Sequence, residues 1–439
     1  MQLSKHNILT QIHGDERWLL VNLLSGQADV LPKDDGERLA RGEVTDAAQL
    51  AEKGYLVDPE EEQRRYRAAY LDFLESRDTD EIQIFYVPSY VCNFGCSYCF
   101  QDEYAPPPGG DGEAVLNAFF EYVDDTFGDR KKYVTLFGGE PLLPSPKARR
   151  IVEGMVEGTA ARGLDLAVIT NGYSLASYVD TLKRTRIREV QITLDGPQKI
   201  HDARRYLKGG GETFQRVVEG VDACLAAGLP VNLRSVLDRE NVESFAELAH
   251  FAIDRGWTDN PGFKTQIGRN YELHHCQSDR SRLYSRLELF QDLHRLVERD
   301  PEILRFHQPA FSIARFLFER GELPAPLFDA CPATKTEWAF DYTGRIYSCT
   351  ATVGKQGEVL GTFWPERRLE REAVDEWQER DVVSMEKCST CPSQLACGGG
   401  CGAVAKNWSG SIHSSDCRPV KELLSLGASI YGREALAAE

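Results

Sequence analysis

The sequence predicts an α/β chain built on six parallel β/α units, with a small β-rich unit ahead of them and a cysteine-rich region behind. Three observations point there. From Glu81 onward, short apolar β runs alternate with amphipathic helical segments, the pattern of a parallel sheet covered by helices. Before that, residues 1–75 place three β runs ahead of two short helices. After it, seven thiols fall between Cys331 and Cys417, which is far denser than core packing uses.

Length and charge bound the possibilities. At 439 residues the chain has room for about three ordinary domains. No stretch approaches the ~18 apolar residues of a membrane span, and Met1-Gln-Leu-Ser-Lys-His-Asn has no secretory pattern, so the expected location is the cytosol. A net charge of -17 offers no basic face to a phosphate backbone, which argues against nucleic acid as the main partner. Clustered cysteines in a chain without a secretory signal read as metal ligands before disulfides.

In the first unit, Ile8-Leu-Thr-Gln-Ile and Trp18-Leu-Leu-Val-Asn-Leu-Leu read as strands around the turn His13-Gly-Asp-Glu, and Gly26-Gln-Ala-Asp-Val-Leu as a third. Helices are expected near Lys33–Arg41 and Asp46–Lys53, and a charged linker helix from Glu60. The six barrel-type strands are expected near Ile82–Tyr90, Tyr133–Phe137, Leu164–Ile169, Val190–Leu194, Pro230–Val236 and Gly262–Gln266. Helices between them are expected at Gly112–Phe127, Pro146–Arg162, Leu175–Arg184, Glu212–Ala227 and Glu240–Arg255. Residues 281–325 read as a helical bridge.

Directly after the first of these strands comes Cys92-Asn-Phe-Gly-Cys96-Ser-Tyr-Cys99-Phe100. Three thiolates within eight residues fit a cubane iron–sulfur cluster with one iron left open, and Gly95 lets the loop fold round an inorganic core. A zinc knuckle or a redox pair shares the C-x2-C part, but zinc needs a fourth ligand nearby and the next cysteine is Cys224. Cys224 itself sits in an apolar helical pattern, as a buried inert thiol does.

The C-x3-C-x2-C loop with Phe100 behind it resembles the motif of the radical S-adenosylmethionine (SAM) family. The resemblance implies a cluster at Cys92, Cys96 and Cys99 whose open iron chelates SAM, and cleavage of SAM to a 5'-deoxyadenosyl radical. It also gives meaning to later strand ends. Gly138-Gly139-Glu140-Pro resembles the family's GGEP motif, with Glu140 expected to meet the methionine ammonium group. Thr193 and Asp195, in Ile192-Thr-Leu-Asp-Gly-Pro, are implied ribose contacts, and Gln266 an adenosine contact. His201-Asp-Ala-Arg-Arg205, a glycine loop and Thr213-Phe-Gln-Arg216 resemble a succession in which a basic residue reaches the SAM carboxylate; Arg216 and Arg234 are the candidates.

The C-terminal spacing C-x12-G-x4-C, C-x2-C-x5-C-x3-C and a lone cysteine matches the SPASM motif of peptide and sulfatase maturases. A zinc ribbon built on Cys388, Cys391 and Cys397 is the alternative. By resemblance, Cys388, Cys391, Cys397 and Cys417 hold a distal auxiliary cluster, and Cys331, Cys349 and Cys401 a proximal one with no obvious fourth thiolate. Its open iron would dock a substrate thiolate, or be filled by Cys276 or a non-thiolate group.

The implied architecture is a partial (β/α)6 radical SAM barrel (76–280) with a winged-helix-like peptide-recognition unit (1–75), the helical bridge (281–325) and a SPASM iron–sulfur domain (326–439). A capping subdomain without a ligand is the other reading of residues 1–75. The implied activity is maturation of a ribosomally made precursor, whose leader the first unit would grip, to form a thioether or a carbon–carbon crosslink. Cofactors would be three [4Fe–4S] clusters and SAM, with a reductant such as flavodoxin or ferredoxin. Alternatives are peptide epimerisation, a multi-cluster electron carrier, and oxidation of Cys or Ser to formylglycine. Enzymes of that last kind use an aspartate base directly after the second SPASM cysteine, where this chain has Thr350.

Overall fold

The structure is a computed structural model that describes residues 1–99, 101, 112–269 and 283–433. Phe100 and Cys276, both named above, lie outside the described residues.

All six expected parallel strands are present, at Ile82–Val87, Lys132–Leu136, Asp165–Thr170, Ile187–Thr193, Val231–Leu237 and Phe263–Arg269. They pair in chain order, each parallel to the next. Their residues alternate strictly in role. Ile84, Val134, Val168, Val190, Ile192, Val231 and Leu233 are buried in the main core, against the covering helices. The opposite face is mixed: Phe85 and Val87 form a separate apolar cluster at the first strand, while Gln191, Thr193, Asn232 and Arg234 make the far side polar.

The helices form where their end signals are placed. Pro146–Ala161 opens with Ser145, whose hydroxyl accepts the Ala148 N–H, and with proline at the first turn where no donor is lost. Gly112–Phe127 buries Val115, Leu116, Phe119, Phe120 and Val123 on one stripe. Fully burying each such side chain contributes roughly 1.5–3 kcal/mol. Two helices start later than expected, at Phe214 and Phe245. Asp202 accepts the N–H groups of Thr213 and Phe214 and so fixes the first of those starts from outside the helix. One helix, Gln198–Arg204, is absent from the sequence-based expectation.

The larger difference lies in the cysteine-rich region. Its strand Glu337–Asp341 adds parallel to Ile82–Val87, and Arg345–Tyr347, Val359–Thr362 and Arg368–Leu369 continue antiparallel, giving one ten-stranded sheet. The reason is apolar continuity across the junction. Phe119 packs edge-on against Phe340 and Phe363, and Tyr122 tilts against both.

At the other end of the chain, Asn7–Gln11, Trp18–Asn22 and Gln27–Leu31 make a three-stranded antiparallel sheet followed by helices Lys33–Ala40 and Ala47–Glu52. The Asn7–Gln11 edge is covered by the last helix, where Ser425 donates to the Gln11 carbonyl. Gln27–Leu31 is the other edge and pairs only with Trp18–Asn22. The linker helix Pro59–Thr79 stacks Tyr66, Tyr70 and Phe73 round Phe328, and Tyr66 donates to Gln394 at 2.7 Å. Among the described residues no helix is long and apolar enough to cross a membrane.

Candidate active site

Cys92, Cys96 and Cys99 sit in the loop at the carboxyl end of the first parallel strand, the end where β/α sheets place their chemistry. The loop is held by its own backbone. Gly95 and Ser97 donate to the carbonyls of Tyr206 and Arg204 at 2.8 and 3.0 Å, and Lys208 donates to the Asn93 carbonyl at 2.7 Å. A Cβ at Gly95 would lie 2.9 Å from the Tyr206 ring, so glycine here serves the close approach of that segment. The Phe94 N–H points at the Cys92 sulfur at 3.4 Å, and Asn171 Nδ2 stands 3.9 Å from it. Burial, with Glu140, Cys96 and Cys99 adding negative charge nearby, pushes the Cys92 thiol up to about 12.

The GGEP turn meets this loop directly. Gly139 and Glu140 donate to the carbonyls of Ser89 and Val91, and a Cβ on Gly139 would fall 2.3 Å from the Val91 oxygen. What approaches Gly138 and Gly139 is therefore the chain's own residues 89–91. Glu140, the expected partner of the methionine ammonium group, is engaged by the chain itself. Its carboxylate is buried and already accepts the Leu142 N–H at 2.7 Å, the Thr170 hydroxyl at 2.7 Å and the Asn171 N–H at 2.6 Å. Glu140 braces two strand ends against the cysteine loop.

Asp195, an implied ribose contact, is likewise engaged within the chain. Its side chain is 0% exposed, with one oxygen on the Val236 N–H at 2.9 Å and the other on the Tyr98 hydroxyl at 2.5 Å and Arg204 Nε at 3.4 Å. These contacts make Asp195 a tie between the cysteine loop and the sheet. Arg204 completes the knot with a two-pronged pair to Asp238 at 2.9 and 2.8 Å.

Thr193, Arg234 and Gln266 stand side by side on three neighbouring strands, since Arg234 is in register with both of the others. They share the polar face, and Thr193 makes no side-chain hydrogen bond among the described residues. Arg216 lies apart on the rim, half-exposed, paired with Glu219 at 3.0 Å and over the Tyr173 ring. Sequence reading missed Arg205, which is buried against Phe94 and Tyr98 and donates to the Tyr98 hydroxyl at 2.7 Å while its Nε has no partner. Cys96 is among the negative groups that raise its pKa, so this cation faces the cysteine loop. The signal was present, because Arg205 closes the His201–Arg205 motif; only its direction needed the structure.

The C-terminal thiols fall into two sets. Cys388 is pushed up to about 11 by burial and by repulsion from Cys397, Cys417 and Cys391. Cys349 is raised by burial and then by Glu337, Cys331 and Cys401, and Cys401 by burial and Cys331. Gly398, Gly399 and Gly400 all take φ between +60 and +72°. Side chains there would meet the Ala330 nitrogen at 2.7 Å, Met385 Cε at 2.2 Å and the Asp416 oxygen at 2.1 Å, so this run brings the approaches to Cys331 and Cys417 together. Beneath it Arg380, fully buried, donates to the carbonyls of Ile412, Gly399 and Ser414 and to Asp329, which also pairs with Lys335. Among the described residues no three cysteine sulfurs lie within 4.8 Å of one another. A single zinc ion with ~2.3 Å bonds would draw its sulfurs to about 3.8 Å, whereas a four-iron core holds them wider. Cys224 is buried with its thiol pushed up to about 12, as an inert core residue is.

Residues 86–252 match the Radical SAM superfamily, leaving the N-terminal unit and the cysteine-rich region outside that match. Among curated proteins, a GTP 3',8-cyclase of Campylobacter fetus is 31% identical over 38% of this chain and 50% of its own length. One from Klebsiella pneumoniae is 34% identical over 34% of this chain and 44% of its own. The chain thus spans about half the length of the curated relatives it matches. Among solved structures, native anSMEcpe with bound AdoMet and Cp18Cys peptide aligns with a TM-score of 0.62 at 16% identity, covering 82% of this chain and all of that one. Streptococcus suis SuiB bound to precursor peptide SuiA aligns at 0.56 and 13% identity, covering 95% and 98%. Residues 86–252 thus match a radical SAM domain, and the chain resembles anSMEcpe and SuiB in fold.

Proposed function

We propose that this chain is a peptide maturase that installs a thioether in a ribosomally made precursor, with a carbon–carbon crosslink as the next choice of product. One observation carries the reading: ten cysteines gather in three sets, and the first set stands at the carboxyl ends of the parallel strands. Cys92, Cys96 and Cys99 would hold the SAM-binding cluster, Cys388, Cys391, Cys397 and Cys417 the distal auxiliary cluster, and Cys331, Cys349 and Cys401 the proximal one. The first cluster with SAM, when bound, supplies a 5'-deoxyadenosyl radical able to abstract hydrogen from a peptide residue.

The chain's own residues do the rest. The Phe94 N–H, Asn171 and the Arg205 cation sit about the cysteine loop and favour its thiolates. Glu140 and Asp195 fix that loop against the strand ends, and the Thr193–Arg234–Gln266 row offers polar groups to a ligand lying across them. The Gln27–Leu31 edge is where a leader would add as a strand, with backbone bonds for affinity and pockets for choice. The peptides named with the anSMEcpe and SuiB structures support a peptide as substrate, and flavodoxin or ferredoxin is the proposed reductant.

A second reading, oxidation of Cys or Ser to formylglycine, gains from one feature. Thr350, which replaces the expected aspartate, holds the Glu337 carboxylate through its N–H at 2.8 Å and its hydroxyl at 3.1 Å.

The test is anaerobic reconstitution of the wild type and a Cys92/Cys96/Cys99→Ala variant. About twelve irons falling to about eight, with 5'-deoxyadenosine formation lost, is the expected result. Zinc in place of iron without SAM cleavage would refute it. In the same preparation, proline at an outward N–H of the Gln27–Leu31 edge should abolish the preference for leader-bearing over leaderless precursor while SAM cleavage persists.

A further inference from the structure

Among the described residues the proximal set has three thiolates, and the structure places one more donor beside Cys349. Glu337 opens the strand that pairs antiparallel with Arg345–Tyr347, in the register Ala339 to Tyr347 and Phe340 to Ile346. Continuing that register brings Glu337 opposite Cys349, with both side chains on one face of the ladder. The Thr350 contacts fix this placement, because both reach Glu337 Oε1 from the residue next to Cys349. The Thr334 N–H donates to the Glu337 carbonyl at 2.9 Å, which draws the Cys331 loop to the same point.

Among the described residues the second oxygen, Oε2, has no hydrogen bond or ion pair. Glu337 is partly buried. An ionised carboxylate in that position without a cation is costly, and a nearby metal removes the cost. Asp416 and Asp329 are other carboxylates near the set, but Asp416 Oδ2 accepts the Cys401 N–H at 3.2 Å and adjoins the distal ligand Cys417, while Asp329 accepts the Cys331 N–H at 2.9 Å and pairs with both Lys335 and Arg380.

We propose that Glu337 is the fourth ligand of the proximal auxiliary cluster, binding its otherwise open iron through Oε2 while Thr350 holds Oε1. This rests on the three-cluster reading above and deepens it. A carboxylate is a hard ligand among soft thiolates, so it exchanges for a substrate cysteine more readily than a protein thiolate does. In that exchange the iron–oxygen bond breaks, an iron–sulfur bond forms, and the thiol proton passes to the freed Glu337 carboxylate, with no change in oxidation state. The device keeps the iron capped at rest and opens it to a peptide thiol.

The test uses the full chain in the Cys92/Cys96/Cys99→Ala background, which isolates the auxiliary clusters, and reads iron content, Mössbauer and EPR spectra without any activity assay. In the parent, 2-mercaptoethanol should shift the proximal spectrum. Glu337→Gln should alter that spectrum before thiol is added and tighten thiol binding about tenfold. Glu337→Cys should retain about eight irons and stop responding to thiol. Identical spectra and thiol responses in the parent and both variants would overturn the assignment, as would loss of about four irons from both variants, which marks a packing role. A spectral change in Asp416→Asn with none at position 337 would move the ligand there and overturn it too. Should the parent itself hold zinc, the cluster reading fails; should it hold about eight irons with Glu337 silent, only this inference does.

Discussion

Two groups of thiols in this molecule are held in opposite ways. Cys92, Cys96 and Cys99 lie in one loop, and what fixes them is local: backbone bonds to residues 204–208 and the Tyr98–Asp195–Arg204 knot. The C-terminal thiols are interleaved, since Cys401 associates with Cys331 and Cys349 although Cys397 and Cys417 on either side belong with Cys388. Interleaving forces distant segments into backbone contact, and a buried cation under three left-handed glycines supplies it. A contiguous motif can tolerate local adjustment. An interleaved one transmits a fault to both of its sets.

The strongest test of that contrast is Arg380→Leu. The change leaves the carbonyls of Ile412, Gly399 and Ser414 without this donor and Asp329 with Lys335 and the Cys331 N–H, all in the interior. Breaking a buried charge network by removing one partner costs about 3–5 kcal/mol. Thermal unfolding should register that loss, and iron analysis should show both auxiliary clusters depleted while SAM cleavage by the loop cluster survives in the protein that remains folded. Depletion of only one auxiliary set would break the argument that the two are mechanically joined.

Next in size are the paired glycine substitutions. Gly400→Ala puts a side chain at φ +71° and 2.1 Å from the Asp416 carbonyl, which is backbone and cannot swing away. Left-handed strain of ~1–2 kcal/mol and overpacking of ~1–3 kcal/mol then add. Gly95→Ala meets the edge of Tyr206, which is 40% exposed and free to rotate outward, so a loss of about 1 kcal/mol or less is expected. Equal losses of iron per molecule in the two variants would remove the distinction between the regions.

The same contrast explains what could be read from the sequence. The six β/α units were legible because each strand and helix declares its own period and caps, and helix Gly112–Phe127 has the expected ends. The cysteine sets were legible through spacing alone. The strand Glu337–Asp341 joining the parallel sheet was not, because its partner Ile82–Val87 lies some 250 residues away and a short strand does not name its neighbour. Glu140 and Asp195 show a subtler failure. Their carboxylates were visible, but their donors, Thr170 and Asn171 for one and Tyr98 and Val236 for the other, arrive from different strand ends, and those donors decide that both residues brace the site.

The last effect expected is a pH dependence confined to the loop region. His201 starts the motif that carries Arg204 and Arg205 to the cysteine loop; it is fully buried, its Nδ1 accepts the Asp195 N–H at 3.3 Å, and its Nε2 has no partner. Burial, with Arg205 and Arg204 close by, pushes its pKa down to about 3. The folded state therefore keeps the ring neutral while the unfolded chain takes up a proton below about 6.5, so the contribution is complete above that pH and is lost as pH falls toward 3. At pH 5 the difference amounts to roughly 2 kcal/mol. Hydrogen exchange should show peptides spanning 92–99 and 198–205 losing protection between pH 7 and pH 5 relative to those spanning 388–401, and His201→Gln, which carries no titrating ring, should erase that difference. Equal loss of protection in both regions, or a difference that survives the substitution, would mean that acid acts through the whole fold and that the cysteine loop has no local stability of its own.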